Sequence, residues 1–448
     1  MQDKIILGGI IGIGLAVAVV LGFLNGNLAL TRFEQYRDDA AFYNEKALLL
    51  LDQGSLRDDI SHFRKPPLYP AFLAVSYGAL GRRPLSTWVT QAFLYVLALV
   101  LLYRISLFFL SGKFAFLPPL AYALFWVGGF YVFKIGSETL AIFLLLGITY
   151  IGLLHARAPS KTKSAAWAVA YGLLTLTKPI ALYSMPISLV LLLVSLRHHM
   201  PRKSIFQHAA IIGAFFIVIV GGWMLRNQYY LNDYQIEQTG HVFWVKGVAS
   251  EASYRDLAAY TVAGLFGDHI ADAVFTGYAD QPFPLIMNGR AKRLWADLDG
   301  RGLSDFEIDK YFHDEGIAKL KDNIFGIGIS SIPSIFEINA PTNHRGFSLA
   351  HFLTGTHEDI PSLLRILIIL TIRVVWLMML GVVAFGCVRA VQRDVRSWFM
   401  VWMVFYFNAM HVLILIPAET RYIAPVIPFY IFFGVYAAWR LRCVLVAR

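Results

Sequence analysis

The chain alternates long apolar runs with polar stretches, and the lengths of the runs decide the fold class. Apolar segments fall at 5–24, 86–110, 114–133, 138–154, 165–177, 179–196, 207–225, 364–387, 397–416 and 422–439. Most approach the ~20 residues that an α-helix needs to cross a bilayer. Backbone N–H and C=O groups find no partner in lipid, so runs of this length predict helices. The short alternating segments of a β-barrel are not seen. The expectation is an all-α polytopic membrane protein with about ten transmembrane helices. The segment 165–177 is short for a crossing, so 165–196 reads either as one interrupted span or as a hairpin turning at Lys178-Pro179.

Charge arbitrates between those two. With 57% hydrophobic and only 15% charged residues, a net charge of +10 cannot be spread over a soluble surface. The basic residues sit instead in short loops: Arg157, Lys161 and Lys163; Arg197, Arg202 and Lys203; Arg389, Arg393 and Arg396; then Arg440, Arg442 and Arg448. Such loops orient spans and touch anionic lipid, which removes the reason to invoke nucleic acid. All four groups share the cytoplasmic side only if 165–196 is a hairpin. Both termini are then cytoplasmic in a multi-pass cell (inner) membrane protein, and 25–85 and 226–363 face outward. The run from Ile5 to Leu24 is longer than a signal-peptide core, and Leu24-Asn25-Gly26-Asn27 lacks a small-x-small cleavage site, so it is read as the first span. Cys387 and Cys443 lie at or beyond inner span ends, so no disulfide is expected. The domain reading is an N-terminal transmembrane module at 1–228 with its outer loop at 25–85, an extracytoplasmic segment or small domain at 229–363, and a C-terminal transmembrane module at 364–448.

Within the first outer segment, Ala40–Leu51 is apolar along one side and predicts an amphipathic helix lying on the membrane. In the second, Phe306, Ile308, Tyr311, Phe312, Ile317 and Leu320 recur at helical spacing behind Ser304 and Glu307, a capping-box pair. Outer-face juxtamembrane helices and a small outer domain are expected.

Ionisable residues gather at one end of the predicted spans. Asp38, Asp39, Lys65, Lys134, Glu138, Lys178, Arg226, Glu419 and Arg421 all lie at outer span ends or just beyond. Charge near hydrocarbon is costly, so a one-sided cluster points to a site. Bland readings compete. Lys134, Arg82 and Arg83 suit snorkelling, Asp58-Asp59 a solvated loop, and His198-His199 the basic cytoplasmic loop. Ser137-Glu138 suits the first turn of a helix, where a carboxylate meets the dipole. No metal-ligand spacing is present.

Five short motifs then occur in one order. Asp39-Ala-Ala-Phe-Tyr43 resembles the first outer loop of GT-C glycosyltransferases, a superfamily that includes protein O-mannosyltransferases and aminoarabinose–lipid A transferases. Lys65-Pro66-Pro67-Leu68-Tyr69 is similar to the turn that follows in that loop. Gly172 to Lys178-Pro179, Trp223-Met-Leu-Arg226-Asn227 and Glu419-Thr-Arg421-Tyr422-Ile-Ala-Pro425 resemble three further family turns. The resemblance covers 30–230 and 400–440.

It implies a catalytic carboxylate at Asp39, four residues before Tyr43, with Asp38 the runner-up. It implies donor-phosphate contacts at Lys65, Lys178, Arg226 and Arg421, supported by Tyr43, Tyr69, Glu138, Glu419 and Tyr422. The family often carries an acid after its aspartate, where this chain has Ala40. No cofactor is assigned, and a divalent cation is left open. The implied partners are a polyprenyl-phosphate-linked sugar, a lipid, glycan or protein acceptor, and membrane lipids, around a monomer and without nucleic acid. The competing classes are a secondary transporter or lipid flippase, an oligosaccharide ligase or polymerase of the same architecture, and a non-catalytic scaffold. Transporters favour midplane charges and repeats, and neither is visible here.

Overall fold

The structure is a computed structural model that describes residues 2–56, 65–197, 200–278, 280, 282–339, 362–416 and 420–446. Among them the regular elements are all helical. In chain order they are α1 (Gln2–Leu24), α2 (Asp38–Gln53), α3 (Leu68–Leu80), α4 (Pro84–Ser106), α5 (Leu117–Leu124), α6 (Trp126–Phe130), α7 (Glu138–Arg157), α8 (Lys161–Thr175), α9 (Ala181–Leu196), α10 (Arg202–Phe216) and α11 (Gly222–Leu231). There follow α12 (Gly240–Ser250), α13 (Tyr254–Phe266), α14 (Asp268–Val274), α15 (Phe283–Gly300), α16 (Asp305–Asp322), α17 (Ile324–Asn339), α18 (Ser362–Val391), α19 (Trp398–Ile414) and α20 (Ile427–Val446).

Seven helices among the described residues are long and apolar enough to cross a membrane. The other expected crossings differ for local reasons. The run 114–133 is not one helix. Phe125 adopts extended backbone (φ −80°, ψ 124°), splitting it into α5, α6 and a 3₁₀ turn at Tyr131–Phe133. Tyr122, Ala123, Val127 and Phe130 are buried around the break, so protein shields the interrupted backbone from lipid. The hairpin reading of 165–196 corresponds to α8 and α9, which pack on each other around the turn carrying Lys178. The run 207–225 lies in a longer stretch whose middle, Ile217–Gly221, is a π-helical turn. Gly172 of α8 lets that turn approach: a Cβ there would come within 2.9 Å of Ile219 Cγ2.

The chain packs as two compact units. The first comprises Met1–Glu237, Val382–Phe405 and Ala424–Arg448; the second comprises Gln238–Gly381 and Tyr406–Ile423. In the first unit, α2 begins where Arg37 is still extended and ends at Gly54, whose φ of 66° supplies the left-handed stop. It is held on α3 by the Tyr77 hydroxyl donating to Asn44 Oδ1 at 3.0 Å. The second unit closes on its own apolar core, with Trp244, Tyr260, Phe283, Met287, Ile308 and Phe312 packed together. Its α16 opens with the reciprocal Ser304–Glu307 capping box. Ile308 and Phe312 are fully buried on that helix while Tyr311 is exposed, so the apolar face is narrower than the spacing predicts.

Candidate active site

The first unit assembles its polar cluster from four separate stretches. Asp38 and Asp39 open α2, and the Asp39 carboxylate lies in its first turn, at the positive end of the helix dipole. Asp39 is exposed, and Tyr43 lies one helical turn further on the same face. The Tyr43 ring meets the Tyr69 ring edge-on, with centroids 5.0 Å apart. Tyr43 holds its proton far above the usual range. Burial is the main cause, and the charges of Asp39, Glu138 and Glu237 add to it, while a hydrogen bond with Ser137 works against it. Three carboxylates from distant parts of the sequence therefore bear on one phenol.

The turn at 65–70 is fixed from behind. Pro66 and Pro67 are buried, Lys65 is half-buried, and the Leu68 amide donates to the Leu176 carbonyl at 3.2 Å. That bond stitches the Lys-Pro-Pro-Leu-Tyr turn to the end of α8. There the Lys178 amide donates to the Leu174 carbonyl at 2.8 Å, and Pro179, which has no amide hydrogen, stops the helix. The Lys178 Nζ reaches Glu138 Oε1 at 3.1 Å, with side chains 19% and 8% exposed. The carboxylate offsets part of the cost of drawing the ammonium out of water.

Glu138 is the first residue of α7, as the Ser137-Glu138 pattern predicts. The Ser137 side chain makes no cap bond to its own helix and faces Tyr43 instead. Arg226 lies on α11 with its guanidinium over the rings of Trp223 (4.8 Å) and Tyr230 (5.2 Å), donating to Asn227 Oδ1 at 2.9 Å. Its motif has a structural purpose. Trp223 Nε1 donates to the Ile236 carbonyl at 3.2 Å, and Asn227 Nδ2 to the Gln235 carbonyl at 2.7 Å. Those two tethers bring back the chain carrying Glu237.

The structure thus brings Asp39, Tyr43, Tyr69, Glu138 and Lys178 together and adds Ser137 and Glu237. Sequence reasoning missed Glu237, although its tethers are two residues of the Trp-x-x-Arg-Asn motif. Arg421 and Tyr422 belong to the second unit. There Arg421 Nη2 donates to the Tyr422 hydroxyl at 3.1 Å, and the Tyr422 ring stacks on His411 at 5.1 Å. Glu419 lies outside the described residues, as do Asp58 and Asp59. Among the described residues no three His, Cys, Asp or Glu side chains gather closely enough to hold a metal ion.

No family model matches the chain, and no curated protein sequence does. Several solved structures are similar to it. The archaeal oligosaccharyltransferase AglB from Archaeoglobus fulgidus, solved with an inhibitory peptide and a dolichol-phosphate, is 12% identical with a TM-score of 0.48; the match covers 97% of this chain and 52% of that one. ArnT from Cupriavidus metallidurans, solved bound to undecaprenyl phosphate, is 15% identical with a TM-score of 0.44, covering 96% of this chain and 78% of that one. The chain spans about half the length of the archaeal transferase.

Proposed function

We propose that this chain is an integral membrane glycosyltransferase that moves a sugar from a polyprenyl-phosphate donor to an acceptor at the extracytoplasmic face, with inversion at the anomeric carbon. The observation that supports it is that Asp39 and Glu138 both bear on Tyr43 while Glu138 holds the Lys178 ammonium at 3.1 Å. The donor class follows from the motif resemblance. An acceptor hydroxyl gives its proton to the Asp39 carboxylate as its oxygen bonds to the anomeric carbon. The bond from that carbon to the phosphate oxygen breaks on the opposite face, and the electron pair leaves with the polyprenyl phosphate. Negative charge grows on the departing phosphate, so a fixed cation beside it lowers the barrier. Lys178, paired with Glu138, supplies that cation, with Lys65 and Arg226 as further phosphate contacts. Tyr43, kept un-ionised, can donate a hydrogen bond to a sugar oxygen. Arg421 and Tyr422 are in the second unit, and the proposed chemistry does not draw on them.

The test uses the full chain in lipid nanodiscs, a panel of polyprenyl-phosphate sugars and an envelope extract as acceptor source. Released polyprenyl phosphate is measured by mass spectrometry. Wild type should release it from at least one donor, and Asp39→Asn should lower the rate at least ~100-fold, the scale of a lost general base. Wild-type rates retained by Asp39→Asn would refute the assignment of that carboxylate. No release from any donor would refute the transferase reading.

A further inference from the structure

Behind the Glu138–Lys178 pair lies a chain of hydrogen bonds that no motif announces. Gln91, on α4, is fully buried. Its Nε2 faces three backbone carbonyls of the turn before α7, those of Tyr131 (3.3 Å), Val132 (3.0 Å) and Lys134 (2.9 Å). Three acceptors on one side fix the amide so that its nitrogen faces them and its oxygen turns the other way. That oxygen accepts the Tyr69 hydroxyl at 3.0 Å. The Tyr69 oxygen accepts the Gly136 amide hydrogen at 2.7 Å, so its own proton has only Gln91 to go to. Every polar atom in the run has one direction, and the run ends two residues before Glu138. The last step is steric. A Cβ at 136 would overlap Glu138 Oε2, so glycine there gives the carboxylate its seat.

We propose that Gln91, Tyr69 and Gly136 are positioning residues, which hold the 131–136 turn so that Glu138 sets the place of the Lys178 ammonium. The inference rests on the reading of Lys178 as a phosphate contact. Tyr69 and Gly136 are 67 residues apart and Glu138 and Lys178 40 apart, so the relay joins the first outer loop, α4, the start of α7 and the α8–α9 turn. None of the three positioning residues needs to touch substrate.

The experiment measures binding of undecaprenyl phosphate to the full chain in nanodiscs for wild type, Tyr69→Phe, Gly136→Ala and Lys178→Ala, and for each of the first two variants combined with Lys178→Ala. Thermal melts of every variant are recorded alongside. Tyr69→Phe removes the hydroxyl and keeps the ring. Gly136→Ala leaves the Gln91–Tyr69–Gly136 hydrogen bonds in place and displaces the Glu138 carboxylate, the far end of a flexible side chain, so it keeps the test open if Tyr69→Phe does not fold. Lys178→Ala should weaken binding about tenfold or more, the scale of a charge-assisted hydrogen bond. Each positioning variant alone should weaken binding roughly three- to tenfold, the scale of one net hydrogen bond. In the Lys178→Ala background the same changes should cost less than about twofold, because residues acting through a shared partner are not additive. Equal losses in both backgrounds, or no loss from either single variant, would overturn the relay. If Lys178→Ala itself binds as wild type, the phosphate reading of Lys178 fails and the relay with it. That result is separate from a failure of the relay alone.

Discussion

Among the described residues, Lys178 in the first compact unit and Lys246 in the second are both drawn out of water, and they are treated in opposite ways. Lys178 is 19% exposed and meets a carboxylate, Glu138, at 3.1 Å. Lys246, on α12 of the second unit, is 1% exposed. It donates to the Ser331 hydroxyl at 2.9 Å and the Val412 carbonyl at 3.4 Å. Burial pulls the Lys246 ammonium down from the usual lysine range to about 7. Neutral oxygens satisfy its hydrogens without repaying the cost of removing a full charge from water. A charge kept beside a partner at the rim of a cluster is available to an incoming anion. A charge sealed in a core is a cost the fold carries.

Several substitutions would break or sharpen this contrast, and Lys178→Glu should have the largest effect. It puts a second carboxylate against Glu138, and undecaprenyl phosphate binding should fall well beyond the loss expected for Lys178→Ala. Unchanged binding would show that Lys178 contributes nothing to anion recognition.

Lys246→Met comes next, with the opposite sign. The folded state holds the Lys246 proton with a pKa of about 7, against an ordinary value of 10.5. Between those values the unfolded chain binds more protons, so this group makes stability rise with pH from about 7 to about 10.5. Below about 7 both states are protonated, and the cost is constant at its maximum. Lys246→Met should raise the melting temperature at pH 7 by several degrees and flatten the slope between pH 7 and 10. A melt that falls, or a slope that stays, would mean that the two hydrogen bonds outweigh the burial.

Glu138→Gln removes the partner that distinguishes the first lysine from the second. It should lower stability by about 1–3 kcal/mol, since the pair is partly exposed and the full cost of orphaning a buried charge does not apply. If the melt does not move, Lys178 has no need of its carboxylate and the contrast disappears. The smallest effect expected is from Ser304→Ala, which removes the α16 cap at about 1 kcal/mol without changing the pH slope. It calibrates how far an uncharged loss in the second unit shifts the same melt.

The features that the chain itself dictates are local. Apolar run length predicts helices because lipid leaves a backbone no other way to pair its hydrogen bonds. Ser304 and Glu307 mark the start of α16, Pro179 the stop after α8, and Gly54 the end of α2, because each acts within one turn of its own position. The same locality puts Asp39 and Tyr43 one helical turn apart. Tertiary structure alone decided the rest. The break at Phe125 follows no strong local signal, and burial of its neighbours is what makes it tolerable. The charge of Glu237 bears on Tyr43 because Trp223 and Asn227 hold carbonyls eight or more residues ahead. Gln91 looks like any polar residue in a span until the carbonyls of 131–134 are placed opposite it. Glu138 is an ordinary first-turn carboxylate until Lys178, 40 residues later, is brought to its oxygen. Such contacts leave no periodicity in the chain, because their partners are chosen by packing and not by spacing.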